Sequence, residues 1–204
     1  MEEHDMKKLE STWYNMVVVL TVIAVAAGAA LAYVNSLTQG PIAEIQKKNE
    51  ADAIKAVLSG KDVKITETDT IGTGDAQAIV YVTDNGAAVK TGDPNNASFG
   101  GGLSVMVGLS KDYQVLGYSI LVSNETPGLG AKAKDWFQKD GKGSIIGKTA
   151  GKLTVSKDGG DVDAITASTI TSRAFLRAVN NAMAAYSETQ GQKADAATGA
   201  SPQK

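Results

Sequence analysis

Apolar and polar positions along this chain change their pattern several times. From Met16 to Val34 almost every position is apolar, and no charged residue lies between Glu10 and Glu44. A run of about 19 such residues is long enough to cross roughly 30 Å of hydrocarbon as a helix. Trp13 and Tyr14 precede the run and Tyr33 closes it, where interfacial aromatics belong. Beyond Pro41, which suits a first helical turn, Ile45, Ala53, Ile54, Val57 and Leu58 recur at helical spacing. They predict a second, amphipathic helix ended by Ser59-Gly60.

The middle of the chain reads as strands, with period-two alternation at Val63–Thr66 and β-rich residues at Ala78–Val82. Val63–Thr66, Ala78–Val82, Ala87–Lys90, Leu103–Leu109 and Val115–Val122 predict strands, and Asp84-Asn85-Gly86 marks a hairpin. Leu153-Thr154-Val155 predicts one more short strand, while Gly141, Gly143 and Gly147 break any long helix between. Helical spacing returns at Ala174, Phe175, Ala178, Val179, Ala182 and Met183. The fold class is α+β: one N-terminal transmembrane helix, then a twisted antiparallel sheet flanked by helices. The predicted divisions are residues 1–12, a transmembrane helix at 13–35, a juxtamembrane linker and helix at 36–60, a folded domain at 61–187 and a disordered tail at 188–204.

Three readings compete for the apolar run. It is long for a signal peptide, although Ala27-Gly28-Ala29 offers small residues near a cleavage position. It lacks the amphipathic face of a core helix. A membrane anchor accounts for its length, its lack of charge and its aromatic flanks, with lipid as a partner. Orientation stays open on charge alone, because Lys7 and Lys8 precede the run and Lys47 and Lys48 follow it.

Composition narrows the chemistry. Cysteine is absent and His4 is the single histidine. Thiolate metal sites, iron–sulfur clusters and a Ser-His-Asp triad within the folded part are thereby excluded, and no metal site is expected. The formal net charge is −2, and without a basic stripe nucleic acid is not an expected partner. Redox chemistry on this chain would need a borrowed organic cofactor.

The densest cluster of chemistry-bearing residues is Asp163-Ala164-Ile165-Thr166-Ala167-Ser168-Thr169-Ile170-Thr171-Ser172. It opens the last helical segment. Ser168 or Thr169 is the candidate N-cap, with Thr171 and Ser172 in the first turn and Arg173 beside them. A helix start offers unpaired N–H groups and the positive end of a dipole, which suits a phosphate. An ordinary hydroxyl-rich cap explains the same spacing. Two glycine loops, Phe99-Gly100-Gly101-Gly102 and Glu125-Thr126-Pro127-Gly128-Leu129-Gly130, permit either a tight turn or close approach of a ligand to backbone. A hydrolase using Asp163 and Glu125 has no support from spacing.

The motif Asp163-x-x-Thr166-x-Ser168-Thr169 resembles the Asp-x-x-(Ser/Thr)-Gly-Ala-Thr signature of the FMN-binding domains of the Rnf and Na+-translocating NADH:quinone oxidoreductase complexes. Ala167 replaces the usual Gly and Ser168 the usual Ala. Glu125 to Gly130 resembles that family's loop after a strand, with Ser123 where many members carry His, and Gly101 and Gly102 resemble its aromatic-Gly-x-Gly segment. The resemblance runs from the membrane helix to about Tyr186. It implies FMN joined covalently to Thr169 by a phosphoester, attached by a flavin transferase that uses FAD. Thr171 and Ser172 would add hydroxyl donors to the phosphate and Arg173 would partly neutralise it, with Ser168 in the same site. Asp163 and Thr166 would be needed by the transferase or to shape the turn, and Glu125, Thr126, Pro127, Gly128, Leu129, Gly130, Gly101 and Gly102 would wall the pocket. Trp136 and Phe137 are read as core rather than as flavin-stacking residues.

The resemblance further implies an electron-carrier subunit, without catalytic residues of its own, in an ion-translocating ferredoxin:NAD+ oxidoreductase. Its folded domain would lie outside a bacterial inner membrane and its partners would be the other subunits of that complex. The short chain favours the Rnf G-type subunit over the longer quinone-reductase C-type. A non-flavinylated binding or scaffold module is the remaining reading.

Overall fold

The computed structural model describes residues 12–58, 63–149 and 153–198, with side chains up to residue 191. Two compact units emerge, residues 1–48 and 49–204. The first consists of α1 (Trp13–Val57) as far as Lys48. By length and composition α1 is a candidate membrane span, and its apolar residues from Trp13 to Ile45 are exposed.

One helix replaces the two predicted around Pro41, which lies inside α1. Proline there removes one backbone hydrogen bond and strains the preceding turn, at a cost of about 3 kcal/mol. Gly40 just before it adds about 1 kcal/mol more, while Asn35 to Gln39 are all tolerated in a helix. The side chains even support it: Ser36 and Thr38 hydroxyls donate to carbonyls three and four residues back. The predicted stop at Ser59-Gly60 lies outside the described residues.

The second unit is built on a five-stranded antiparallel meander, β1 (Ile65–Ile71), β2 (Ala78–Thr83), β3 (Gly86–Gly92), β4 (Ser104–Ser110) and β5 (Val115–Val122), in sequence order across the sheet. Thr83 pairs with Gly86 around the predicted Asp84-Asn85 turn. Register puts Val80, Val89, Val107 and Tyr118 in one row. That face packs beneath α3 (Thr169–Thr198) through Phe175, Val179 and Ala182. Phe137, just past the short α2 (Ala133–Trp136), stacks on Phe175 with ring centroids 4.5 Å apart. The reading of Phe137 as core matches its complete burial. Trp136 is half-buried, with Nε1–H donating to the Asp163 carbonyl.

The alternate residues, Ala88 and Met106, face the other way and meet Ala53, Ile54 and Val57 at the end of α1. The approach is close because Gly108 pairs with Gly117 at that point. A Cβ on Gly108 would sit 2.3 Å from the Val57 carbonyl oxygen. Glu50 fixes the same turn, accepting from the Tyr81 hydroxyl and from Lys90 Nζ.

Three predicted elements differ. β1 begins at Ile65 and runs on through Glu67, Asp69 and Thr70. It is a polar edge strand, which alternation of apolar residues does not reveal. The strand expected at Leu153–Val155 is a single parallel bridge, Val155 to Val162. α3 continues to Thr198 instead of giving way to a tail at 188. The added turns are rich in Ala, Gln, Glu and Lys, which favour helix by propensity without an apolar stripe.

Candidate functional site

Three loops meet at the N-terminus of α3. The first joins β3 to β4. Asp93 organises its start by accepting from the N–H groups of Asn95 (3.2 Å) and Ala97 (2.8 Å). Arg177 on α3 clamps the same carboxylate with two bonds, Nε to Oδ1 at 2.8 Å and Nη2 to Oδ2 at 2.7 Å. Burial pushes the Asp93 carboxyl up, but these four donors outweigh it and hold the group below its usual range. The loop ends at Gly100, where a Cβ would stand 2.0 Å from the Asn124 carbonyl oxygen. Gly101 and Gly102 both take positive φ. Phe99, just before them, is 70% exposed.

The second loop follows β5. Leu129 N–H and Ala131 N–H both close on the Thr126 carbonyl, and Gly128 takes φ 79°. Glu125 turns inward and is 8% exposed. Its Oε2 accepts the Thr171 hydroxyl at 2.7 Å, and its Oε1 accepts Gly100 N–H at 3.4 Å. The third loop is the hydroxyl run. Ser172 is buried and ties it, accepting from Ile165 N–H and donating to the Ser168 carbonyl, each at 2.9 Å. Ser168 Oγ donates to Thr171 Oγ1 at 2.9 Å. A hydrogen-bonded row from Ser168 through Thr171 and Glu125 to Gly100 N–H thus joins all three loops.

These loops enclose a cleft of about 330 Å³, within the size range of small-molecule sites. Of the residues expected at the site, Ser168, Thr169, Thr171, Glu125, Thr126, Leu129 and Gly130 line it. Thr169, the first residue of α3, is half-exposed. Asp163, Thr166, Ser172, Pro127, Gly128, Gly101 and Gly102 are not among the lining residues. Asp163 instead accepts from the Ser156 hydroxyl at 2.9 Å, and Ser172 lies beneath the turn. Arg173 is also committed elsewhere, in a bidentate pair with Asp158 at 2.7 Å on both bonds. That pairing holds Asp158 below the usual carboxylate range.

Phe99, Ala167 and Ile170 complete the lining. Ile170 sits between two hydroxyl residues, ahead of the apolar stripe that begins at Ala174. It is 52% exposed and lines the cleft. Ala167 has φ 61°, the left-handed conformation that glycine adopts freely and alanine does not. The stereochemistry explains why glycine suits this position of the motif.

The donor set suits a flavin nucleotide. Phe99, Leu129 and Ile170 leave apolar surface exposed around one opening, as a planar apolar ring requires. The α3 N-terminus and three hydroxyls at its mouth suit a phosphate. Sequence comparison agrees: residues 98–184 match the FMN-binding domain family, so the second unit contains a domain of that class.

The similarity extends beyond it. The chain is 32% identical over 201 residues to the G subunit of the Na(+)-translocating ferredoxin:NAD(+) oxidoreductase complex of Acetobacterium woodii, covering 88% of this chain and 96% of that one. It is 32% identical over 188 residues to the G subunit of the ion-translocating oxidoreductase complex of Yersinia pestis, covering 84% and 88%. A third relative, the corresponding subunit of Shewanella amazonensis, is 29% identical over 191 residues, covering 85% and 87%. The chain belongs to the family of G subunits of ion-translocating oxidoreductase complexes.

Proposed function

We propose that this chain is a membrane-anchored electron carrier of an Rnf-type ferredoxin:NAD+ oxidoreductase, with FMN esterified through its phosphate to Thr169 Oγ1. The observation that carries the reading is the position of Thr169. It is partly exposed at the start of a 30-residue helix, on the wall of a cleft that Phe99, Leu129 and Ile170 also line. A bound isoalloxazine ring supplies the one- and two-electron chemistry.

The chain's residues hold and orient it. Thr169 would present the attachment oxygen, and the first amides of α3 would be available to the remaining phosphate oxygens. Phe99, Leu129 and Ile170 would give the ring its apolar contacts. Attachment by an FAD-dependent transferase replaces the Thr169 O–H bond with O–P and breaks the pyrophosphate bond of FAD. AMP and the hydroxyl proton are released. The roles of Asp163 and Thr166 are to shape the turn or to be read by the transferase, since neither lines the cleft.

Residues 13–35 of α1 would cross the bacterial inner membrane, with the FMN domain on the extracytoplasmic side. Electrons would pass to and from the other subunits of the complex. The full chain made with a flavin transferase is expected to give a fluorescent band after denaturing electrophoresis and an intact mass raised by one esterified FMN. Thr169→Ala abolishes both. A label that survives this substitution moves the attachment to Ser168 or Thr171 and refutes the assignment.

A further inference from the structure

A phosphate site is commonly supplied with a cation, and this cleft has none among its lining residues. The two arginines nearest along α3 are both occupied, Arg173 by Asp158 and Arg177 by Asp93. Among the described residues, Glu125 is the one charged group in the lining. Both of its oxygens act as acceptors, from Thr171 Oγ1–H and from Gly100 N–H, which is the hydrogen-bonding pattern of a carboxylate. Gly130 admits it so closely that a Cβ there would lie 2.5 Å from Glu125 Oε2. The charge is therefore built into the cleft wall. The α3 dipole contributes about half a positive charge at its N-terminus, less than the full negative charge it faces.

We infer that Glu125 is a charge selector: it disfavours free FMN in this cleft and admits a flavin whose phosphate is esterified or absent. The inference rests on the cleft being the flavin site. Free FMN carries a phosphate monoester of about −1.5 to −2 at neutral pH, whereas a diester to Thr169 carries a single charge. Esterification relieves part of the repulsion, so covalent attachment supplies the retention that this charge pattern denies to the free nucleotide. The unmodified chain is kept clear of free FMN that would otherwise block Thr169.

The test uses the full chain, made without a transferase and held in uncharged detergent, titrated with riboflavin and with FMN and followed by flavin fluorescence. Riboflavin is expected to bind about tenfold more tightly than FMN at low ionic strength. Added salt is expected to raise FMN affinity, because screening weakens a repulsion. Glu125→Gln should close the gap to about twofold by raising FMN affinity more than riboflavin affinity. The salt series on the native chain needs no variant, so a folding defect in Glu125→Gln leaves the sign of the effect measurable.

FMN binding as tightly as riboflavin, an FMN affinity that falls with salt, or a gap that survives Glu125→Gln each overturns the inference. So does failure of both flavins to bind. A chain that binds neither flavin yet takes the label on Thr169 refutes the selector and leaves the attachment standing. A chain that discriminates between flavins but is never labelled does the reverse.

Discussion

Replacing Arg177 by Met tests how the β3–β4 loop is held on α3. The Asp93 side chain is 1% exposed, and Arg177 is two-thirds buried beside it. Removing one partner of a buried ion pair costs about 3–5 kcal/mol, because the other charge stays behind without compensation. Two of the four donors to Asp93, the N–H groups of Asn95 and Ala97, remain, and Met keeps the apolar stem. The expected loss is therefore about 2–4 kcal/mol at neutral pH.

The pH dependence gives the reasoning a sharper check. In the native chain the Asp93 carboxyl is held below its ordinary value: burial opposes ionisation, and Arg177 with the two amides overcomes it. A depressed folded-state value contributes stability above the unfolded pKa of about 3.9, lost as pH falls through the folded value. Without Arg177, burial dominates and the sign reverses, so the variant loses stability as pH rises through the raised value. The two curves converge at the acid end and separate towards neutrality. Urea unfolding in mild detergent, followed by Trp136 fluorescence over the constant signal of Trp13, measures the gap at about pH 4 and pH 7. A gap of the same size at both pH values refutes the electrostatic account and leaves only lost packing.

Two further substitutions probe the other loops. Ala167→Gly removes a left-handed alanine, worth about 1–2 kcal/mol, against an unfolded-state entropy cost of about 0.4–1 kcal/mol. The expected gain is about 0.5–1 kcal/mol, seen as a thermal midpoint raised by about 1–4 °C; a lowered midpoint contradicts the strain. Gly130→Ala drives a Cβ to 2.5 Å from Glu125 Oε2 and 2.8 Å from Thr171 Oγ1. It should cost about 1–3 kcal/mol by overpacking and lower the yield of flavin-labelled chain, and a variant that melts and labels as the native chain does would show that the loops do not depend on this contact.

Much of the sheet was legible because β2 to β5 are short runs rich in β-branched and apolar residues, with β3 and β4 buried on both faces. The Asp84-Asn85 turn fixes the register of β2 on β3. β1 escaped because an edge strand can be built from Thr, Glu and Asp. The end of α3 escaped because propensity rather than periodicity extends it. The continuity of α1 escaped because a helix long enough to gain from its neighbours absorbs the loss at one proline, which local rules treat as a boundary.

Residue patterns alone gave the site as three motifs, and only the family resemblance joined them in one pocket. Asp163, Thr166 and Thr169 look equivalent within a signature, yet only Thr169 reaches the cleft, because Ala167 turns the backbone through positive φ and Ser172 ties the residues before it downward. Arg173 looks like a phosphate ligand from its spacing alone. Its position two residues beyond Thr171 rotates it about 200° around the helix at 3.6 residues per turn, towards Asp158. What brings Gly100, Glu125 and Thr171 together is a set of contacts 25 and 46 residues apart, which no local pattern encodes. The cleft is lined by a buried carboxylate and hydroxyls and by no cation among its lining residues, so the proposed covalent bond would supply a retention that charge pairing does not.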